Sequence, residues 1–316
     1  MSPRLNNLRR LSGVATSALF AVATACGPRD AIVGSGQKDA GADATTVLFS
    51  SELASNGGLW DVFTPLPGAS VAFGASHPVG GSRDGRVAAL VFPGDPALTA
   101  ADRTGSDLNT GIATKQFFRY GTFRSRVAFA RCAPGEDVTS AAFLYFADAS
   151  DANANGIADL HELDFHVLCA DSPSIVMSAW SDYQIDGAGV ETFLKRSHAI
   201  DPGTGDIYDT PTANDRTFTK TGNVPEFVRP GFPAADTFYD VGIEWQPDHV
   251  RFFIVLDGRE ITLWTLTDRS YVPQVPLPIM FNLWHPPSPW GPQTVGADYP
   301  ANDSVLLVDK AEWQTP

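Results

Sequence analysis

In residues 161–168, His161-Glu162-Leu163-Asp164-Phe165-His166-Val167-Leu168, ionisable and apolar side chains alternate over 162–167. In an extended chain Leu163, Phe165 and Val167 share one face, and Glu162, Asp164 and His166 share the other. Such a strand puts one side into a core and presents three titratable groups on its reverse. The same period of two recurs on both sides of it, at 86–92 (RVAALVF), 122–130 (TFRSRVAFA), 240–245 (DVGIEW), 249–256 (HVRFFIVL) and 278–284 (PIMFNLW), between clusters of Gly, Pro, Asn and Asp. No comparable run has helical periodicity, and no fixed-period repeat is present. Residues 47–316 therefore read as one all-β domain, a sandwich of two antiparallel sheets.

Composition agrees. A chain of 316 residues with 43% hydrophobic and 11% aromatic content can bury a full core. Its 28 Gly, 24 Pro and 20 Phe beside only 18% charged residues fit strands joined by many turns. The net charge of -14 has the wrong sign for holding a phosphate backbone or an anionic membrane surface, which excludes nucleic acid as the expected partner. No Gly-rich loop opens a helix and no Ser sits in a nucleophile elbow, so nucleotide and serine-hydrolase chemistry have no support. His77, His161, His198, His249 and His285 show no metal-ligand spacing.

The N-terminus reads as a targeting segment. Arg4, Arg9 and Arg10 precede any acidic residue, and a short apolar stretch follows over 11–25, too short to span a bilayer. Residues 1–26 end in Ala23-Thr24-Ala25-Cys26, which resembles the lipobox of bacterial lipoproteins and makes Cys26 the expected lipidation site; simple cleavage near Ala25 is the alternative. Residues 27–46 (GPRDAIVGSGQKDAGADATT) read as a flexible tether with a reach of roughly 25 Å. The expected product is an exported monomer, either an outer-membrane or cell-surface lipoprotein or a secreted protein, that meets a membrane only through its lipid. Lipid on Cys26 leaves Cys132 and Cys169, at the ends of strand-like segments. In an oxidising compartment they are expected to form a disulfide, with two buried free thiols as the alternative.

Five stretches in order carry a family resemblance: Phe118-Arg119-Tyr120-Gly121-Thr122-Phe123-Arg124-Ser125-Arg126, residues 141–146 (AAFLYF), residues 243–253 (IEWQPDHVRFF) with Asp257-Gly258, Met280-Phe281-Asn282-Leu283-Trp284, and residues 308–313 (VDKAEW). With residues 162–166 they resemble glycoside hydrolase family 16, the β-glucanase and laminarinase family, whose signature is a Glu-x-Asp-x-Glu strand. The resemblance implies a jelly-roll sandwich with a concave glycan-binding cleft and a polysaccharide partner. The family's substrates span laminarin, lichenan, agar, carrageenan and xyloglucan. It implies Glu162 as nucleophile of a retaining glycosidase and Asp164 as its assistant, with non-catalytic glycan binding as the alternative. It also implies Arg126, Trp180, Asn282, Trp284 and Trp290 as substrate contacts, while Trp245 and Trp313 read as core. Arg124, where the family usually has Glu, is expected to make the groove more basic.

The chain departs from the family at His166, which stands where the acid/base Glu belongs. Glu162 and Asp164 on the same face are expected to raise its pKa and keep it protonated, able to donate a proton but slow to take one back. Calcium is the one expected ion, at either of two places. Asp151, Asn153, Asn155, Gly156, Ile157, Asp159 and Glu162 fit the spacing of a twelve-residue calcium loop, although that would spend Glu162 on metal. Glu52, the Gly85 carbonyl and Asp309 match the family's separate site on the convex side.

Overall fold

The computed structural model describes residues 32–33, 46–77, 82, 84–98, 109–133, 135–148, 151, 154, 156, 159–169, 173–185, 191–210, 217–234, 237–285, 292 and 298–315. Their strands are β1 (Ile32–Val33), β2 (Val47–Ser51), β3 (Trp60–Phe63), β4 (Ser70–Ser76), β5 (Arg86–Phe92), β6 (Asn109–Arg119), β7 (Gly121–Ala128), β8 (Thr139–Ala147) and β9 (Leu160–Leu168). They continue with β10 (Ser174–Ile185), β11 (Glu191–Ile200), β12 (Asp206–Asp209), β13 (Thr219–Asn223), β14 (Tyr239–Trp245), β15 (Val250–Leu256), β16 (Arg259–Leu266), β17 (Leu277–Trp284) and β18 (Ser304–Gln314). The helical elements among the described residues are two single 3-10 turns.

Two sheets result. The first runs β1-β6-β17-β8-β9-β10-β11-β12-β13 with β3 also on β6, and the second runs β16-β15-β14-β7-β18-β5-β4 with β2 also on β18. All pairings between these strands are antiparallel except the short β1–β6 contact, where Ile32 and Val33 lie beside Phe118 and Arg119. This Ile-Val pair lies within the segment 27–46 that was expected as a tether. Cys26 lies outside the described residues.

The alternation read from sequence is what closes the sandwich. Leu163, Phe165 and Val167 of β9 pack in one core with Val241, Ile243 and Trp245 of β14, Phe252 and Ile254 of β15, and Phe281 and Leu283 of β17. Strand β18 changes phase to stay in this core: Leu306 and Val308 point inward, a bulge between Val308 and Lys310 inserts Asp309, and Ala311 and Trp313 point inward after it. Trp245 and Trp313 are fully buried, as expected. Trp313 stacks on Phe118 and is approached by the backbone of Gly121, where a Cβ would run into the indole and the Gln314 carbonyl. This close approach explains the glycine in the Tyr120-Gly121 turn that starts β7.

Cys132 and Cys169 form a disulfide with Cα atoms 5.5 Å apart. Cys132 follows β7 of the second sheet and Cys169 follows β9 of the first, so the bridge ties the two sheets at the end of the signature strand. Closing a segment of 37 residues should stabilise by about 3 to 4 kcal/mol in the chain-entropy account. Replacing both cysteines by Ala should lower the unfolding free energy by that order in urea titrations. In a Cys26→Ser background the unfolded, unreduced chain should show no titratable thiol, and two thiols would refute the bridge.

Candidate functional site

The face of β9 turned away from the core carries Glu162, Asp164 and His166, and the register places their neighbours. Tyr145 of β8 and Trp180 of β10 lie opposite Glu162, Phe143 and Ser178 lie opposite Asp164, and Ala141 and Val176 lie opposite His166. Strand β17, on the far side of β8, sets Met280 beside Phe143 and Asn282 beside Ala141. Because Phe281 and Leu283 face the core, Asn282 and Trp284 face outward with the three titratable groups. The Trp284 ring meets the His166 ring edge-on at 6.3 Å. Glu162, Asp164, His166, Trp180, Asn282 and Trp284 thus occupy one side of the first sheet. Trp290 lies outside the described residues.

This face is drier than a solvated strand surface. Asp164 is 1% exposed and His166 6% exposed, beneath a cluster of Phe143, Tyr145, Leu160 and Met280. Burial first, then the charge and hydrogen bonding of Glu162, push the Asp164 carboxyl well above the usual carboxylate range, with Lys195 and the Trp180 indole opposing. Glu162 is also raised by burial, but its hydrogen bond with Asp164 and the charge of Lys195 pull it back. The two carboxyls therefore act as one coupled pair in which Asp164 keeps the proton and Glu162 gains the charge. His166 Nε2 lies 3.9 Å from Asp164 Oδ1.

The expectation for His166 has the wrong sign. Its pKa is lowered from 6.5 to about 3, first by burial and then by Lys195, so the ring is neutral. The neighbouring carboxyl that should have raised it is protonated and exerts little pull.

Lys195 escaped sequence reading. It sits on β11 opposite Trp180, only 7% exposed, with its Nζ 3.8 Å from the centre of the Trp180 ring. One face of that indole is therefore covered by an ammonium group. The alternation of 191–200 puts Lys195 on a face with Ser197, but only the strand pairing brings that face to Glu162.

Arg126 is not at this site. Its strand β7 belongs to the second sheet, and Phe123 and Val127 fill the core, so Arg126 points outward on the opposite side of the molecule. There it pairs with Asp240 at 2.6 Å and faces Asp309 at 3.6 Å. Arg124 likewise bonds Glu260 and does not make the groove basic. The residues expected to hold calcium on this side have other contacts. Asp309 is buried against Arg126, the Gly85 carbonyl accepts the His77 N–H, and Glu52 is exposed. A calcium ion there would have to share Asp309 with a guanidinium. In the 151–162 loop, Asn153, Asn155 and Ile157 lie outside the described residues. Asp151 accepts the Gly156 N–H at 2.7 Å, Asp159 turns to His161 at 3.1 Å, and Glu162 faces Asp164.

No family model and no curated protein matches the sequence. Solved structures do resemble the fold. One is the κ-carrageenase from Pseudoalteromonas carrageenovora, in complex with an oligotetrasaccharide of κ-carrageenan, with a TM-score of 0.51 at 14% identity over 89% of this chain and 99% of that one. Another is the GlcNAcα1-4Gal-releasing endo-β-galactosidase from Clostridium perfringens, with a TM-score of 0.50 at 13% identity over 88% of this chain and 64% of that one. A third is the Bacillus licheniformis β-glucanase, with a TM-score of 0.48 at 16% identity over 87% of this chain and 100% of that one. The fold is the jelly-roll sandwich of these glycoside hydrolases.

The neutral imidazole has a measurable consequence. Below its ordinary pKa of 6.5 the unfolded His166 takes up a proton that the folded one refuses until about 3. Its stabilising contribution is therefore complete above the unfolded value and drains away as pH falls toward the folded one. His166→Gln should flatten the acid limb of stability against pH by up to one proton, ~1.4 kcal/mol per pH unit. Urea unfolding of parent and variant across that window measures this, and equal slopes would exclude a buried neutral ring.

Proposed function

We propose that the protein acts on O-glycosyl bonds of β-glucan-like polysaccharides by a retaining mechanism, with Glu162 as nucleophile. The observation that carries this reading is the position of Glu162 beside Asp164 on the outer side of the first sheet, with Trp180 across from Glu162 and Trp284 near the other end of the row. In retaining hydrolysis a carboxylate attacks the anomeric carbon as the glycosidic bond breaks, and water then releases the glycosyl-enzyme. Asp164 holds its proton toward Glu162 and orients it. Trp284 and Trp180 offer aromatic surfaces for sugar rings, and Asn282 offers hydrogen bonds to hydroxyls. Export of the chain, with Cys26 as lipid anchor, belongs to the same proposal and would place the site where extracellular polysaccharide is met.

His166 suits neither half of the reaction. A neutral imidazole has no readily given proton for the leaving oxygen in the first half, and with its pKa lowered to about 3 it is a weak base toward the attacking water in the second. That observation favours a second reading, binding of the same polysaccharides without turnover.

A product-release screen over laminarin, lichenan, agar, carrageenan and xyloglucan tests both. If the protein is a hydrolase, Glu162→Gln should lower turnover by about three orders of magnitude or more while binding persists, and retention of most activity would sink the nucleophile assignment. If it only binds, the parent should release nothing, and His166→Glu, which restores a carboxyl in the acid/base position, should create or strongly raise activity. If His166 is the working group, the same change should keep the rate similar and shift the pH profile.

A further inference from the structure

At the N-terminal end of β9, three side chains that take no part in the proposed reaction converge on one point. The Nε2 of His161 lies 3.1 Å from Asp159 Oδ1 and 3.6 Å from Asp182 Oδ1, and all three ligand atoms lie within 4.8 Å of one another. Asp159 and His161 are buried, and the Asp182 side chain is 14% exposed. His161 belongs to the inward-facing set of β9, so this point lies on the other side of the strand from Glu162. Asp182 reaches it from a bulge in β10 between Ser181 and Gln184, with a positive φ of 54°.

A histidine held by an aspartate needs only one carboxylate. Here a second is brought to the same ring nitrogen, and two carboxylates that meet at one dry point repel each other unless a positive charge lies between them. The opposite ring nitrogen, Nδ1, is buried with no hydrogen-bond partner among the described residues, so the ring is oriented from the carboxylate side alone. The separations of 3.1 and 3.6 Å bracket the ~3.3 to 3.6 Å edges of a tetrahedron built on metal bonds of ~2.0 to 2.2 Å.

We propose that Asp159, His161 and Asp182 bind a first-row divalent transition cation, zinc being the fitting species. An imidazole nitrogen in a set of three suits zinc and is foreign to the all-oxygen shell that calcium prefers. The ion assigns Asp159 to a site different from the calcium loop in which its spacing first placed it. By tying the residue before β9 to the bulge of β10, it would clamp together the two strands that carry Glu162 and Trp180. The site stands independently of any glycan reading.

The full-length chain, stripped with EDTA and dialysed, is titrated with zinc chloride, and separately with cobalt chloride and calcium chloride. One zinc per chain should bind and raise Tm, cobalt should give the visible absorption of a tetrahedral site, and calcium should leave that absorption in place when added in excess. Asp182→Asn, a near-isosteric change at the partly exposed ligand, should weaken zinc by at least ~10-fold with the apo Tm little changed, and His161→Gln should do the same. Zinc binding of equal strength in parent and both variants would place the metal on other histidines and overturn the proposal. Displacement of cobalt by calcium would overturn it as well, as would no zinc binding in the parent.

Discussion

Leu163, Phe165 and Val167 are fully buried between the two sheets, and their burial decides where Glu162, Asp164 and His166 point. The strand has a period of two, so a slip of one residue would carry three ionisable groups into the core and three apolar ones out of it. Register on both sides, to β8 and to β10, is therefore held by hydrophobic burial, and the disulfide at Cys169 ties the same strand to the second sheet. The arrangement of the outer face, with Trp180 across from Glu162 and Asn282 two strands from His166, follows from that one constraint.

The electrostatics of the face are governed by the same burial. Two carboxyls in a dry setting cannot both ionise, and the pair resolves by leaving the proton on Asp164. Lys195, lying over Trp180, supplies the positive charge that favours an ionised Glu162 and opposes an ionised His166. One lysine from a neighbouring strand thus favours the charged carboxylate and the neutral imidazole.

Residues on a common strand were readable from sequence, and relations between strands were not. Alternation alone put Leu163, Phe165 and Val167 in the core and kept Asn282 with Trp284 on one face. It says that Arg124 and Arg126 share a face but not to which sheet that face belongs, and the cleft that the family resemblance implies for Arg126 lies on the far side of the molecule. The titration of His166 has a related cause: Glu162 and Asp164 are its neighbours in sequence, whereas its burial and Lys195 come from other strands. The meeting of Asp159 and His161 with Asp182 depends on a bulge in β10 that no local pattern announces.

The central claim is that the Glu162–Asp164 pair is a live glycosyl acceptor. An activated aryl β-glycoside carrying fluorine in place of the hydroxyl beside the anomeric carbon tests it directly, because its leaving group needs no proton and its glycosyl-enzyme is slow to hydrolyse. Incubation with gluco- and galacto-configured reagents, followed by intact-mass measurement and peptide mapping, should find one glycosyl group per chain, esterified to Glu162, and none in the Glu162→Gln variant. A chain that stays unlabelled by both reagents, or carries the label on another residue, would contradict the account.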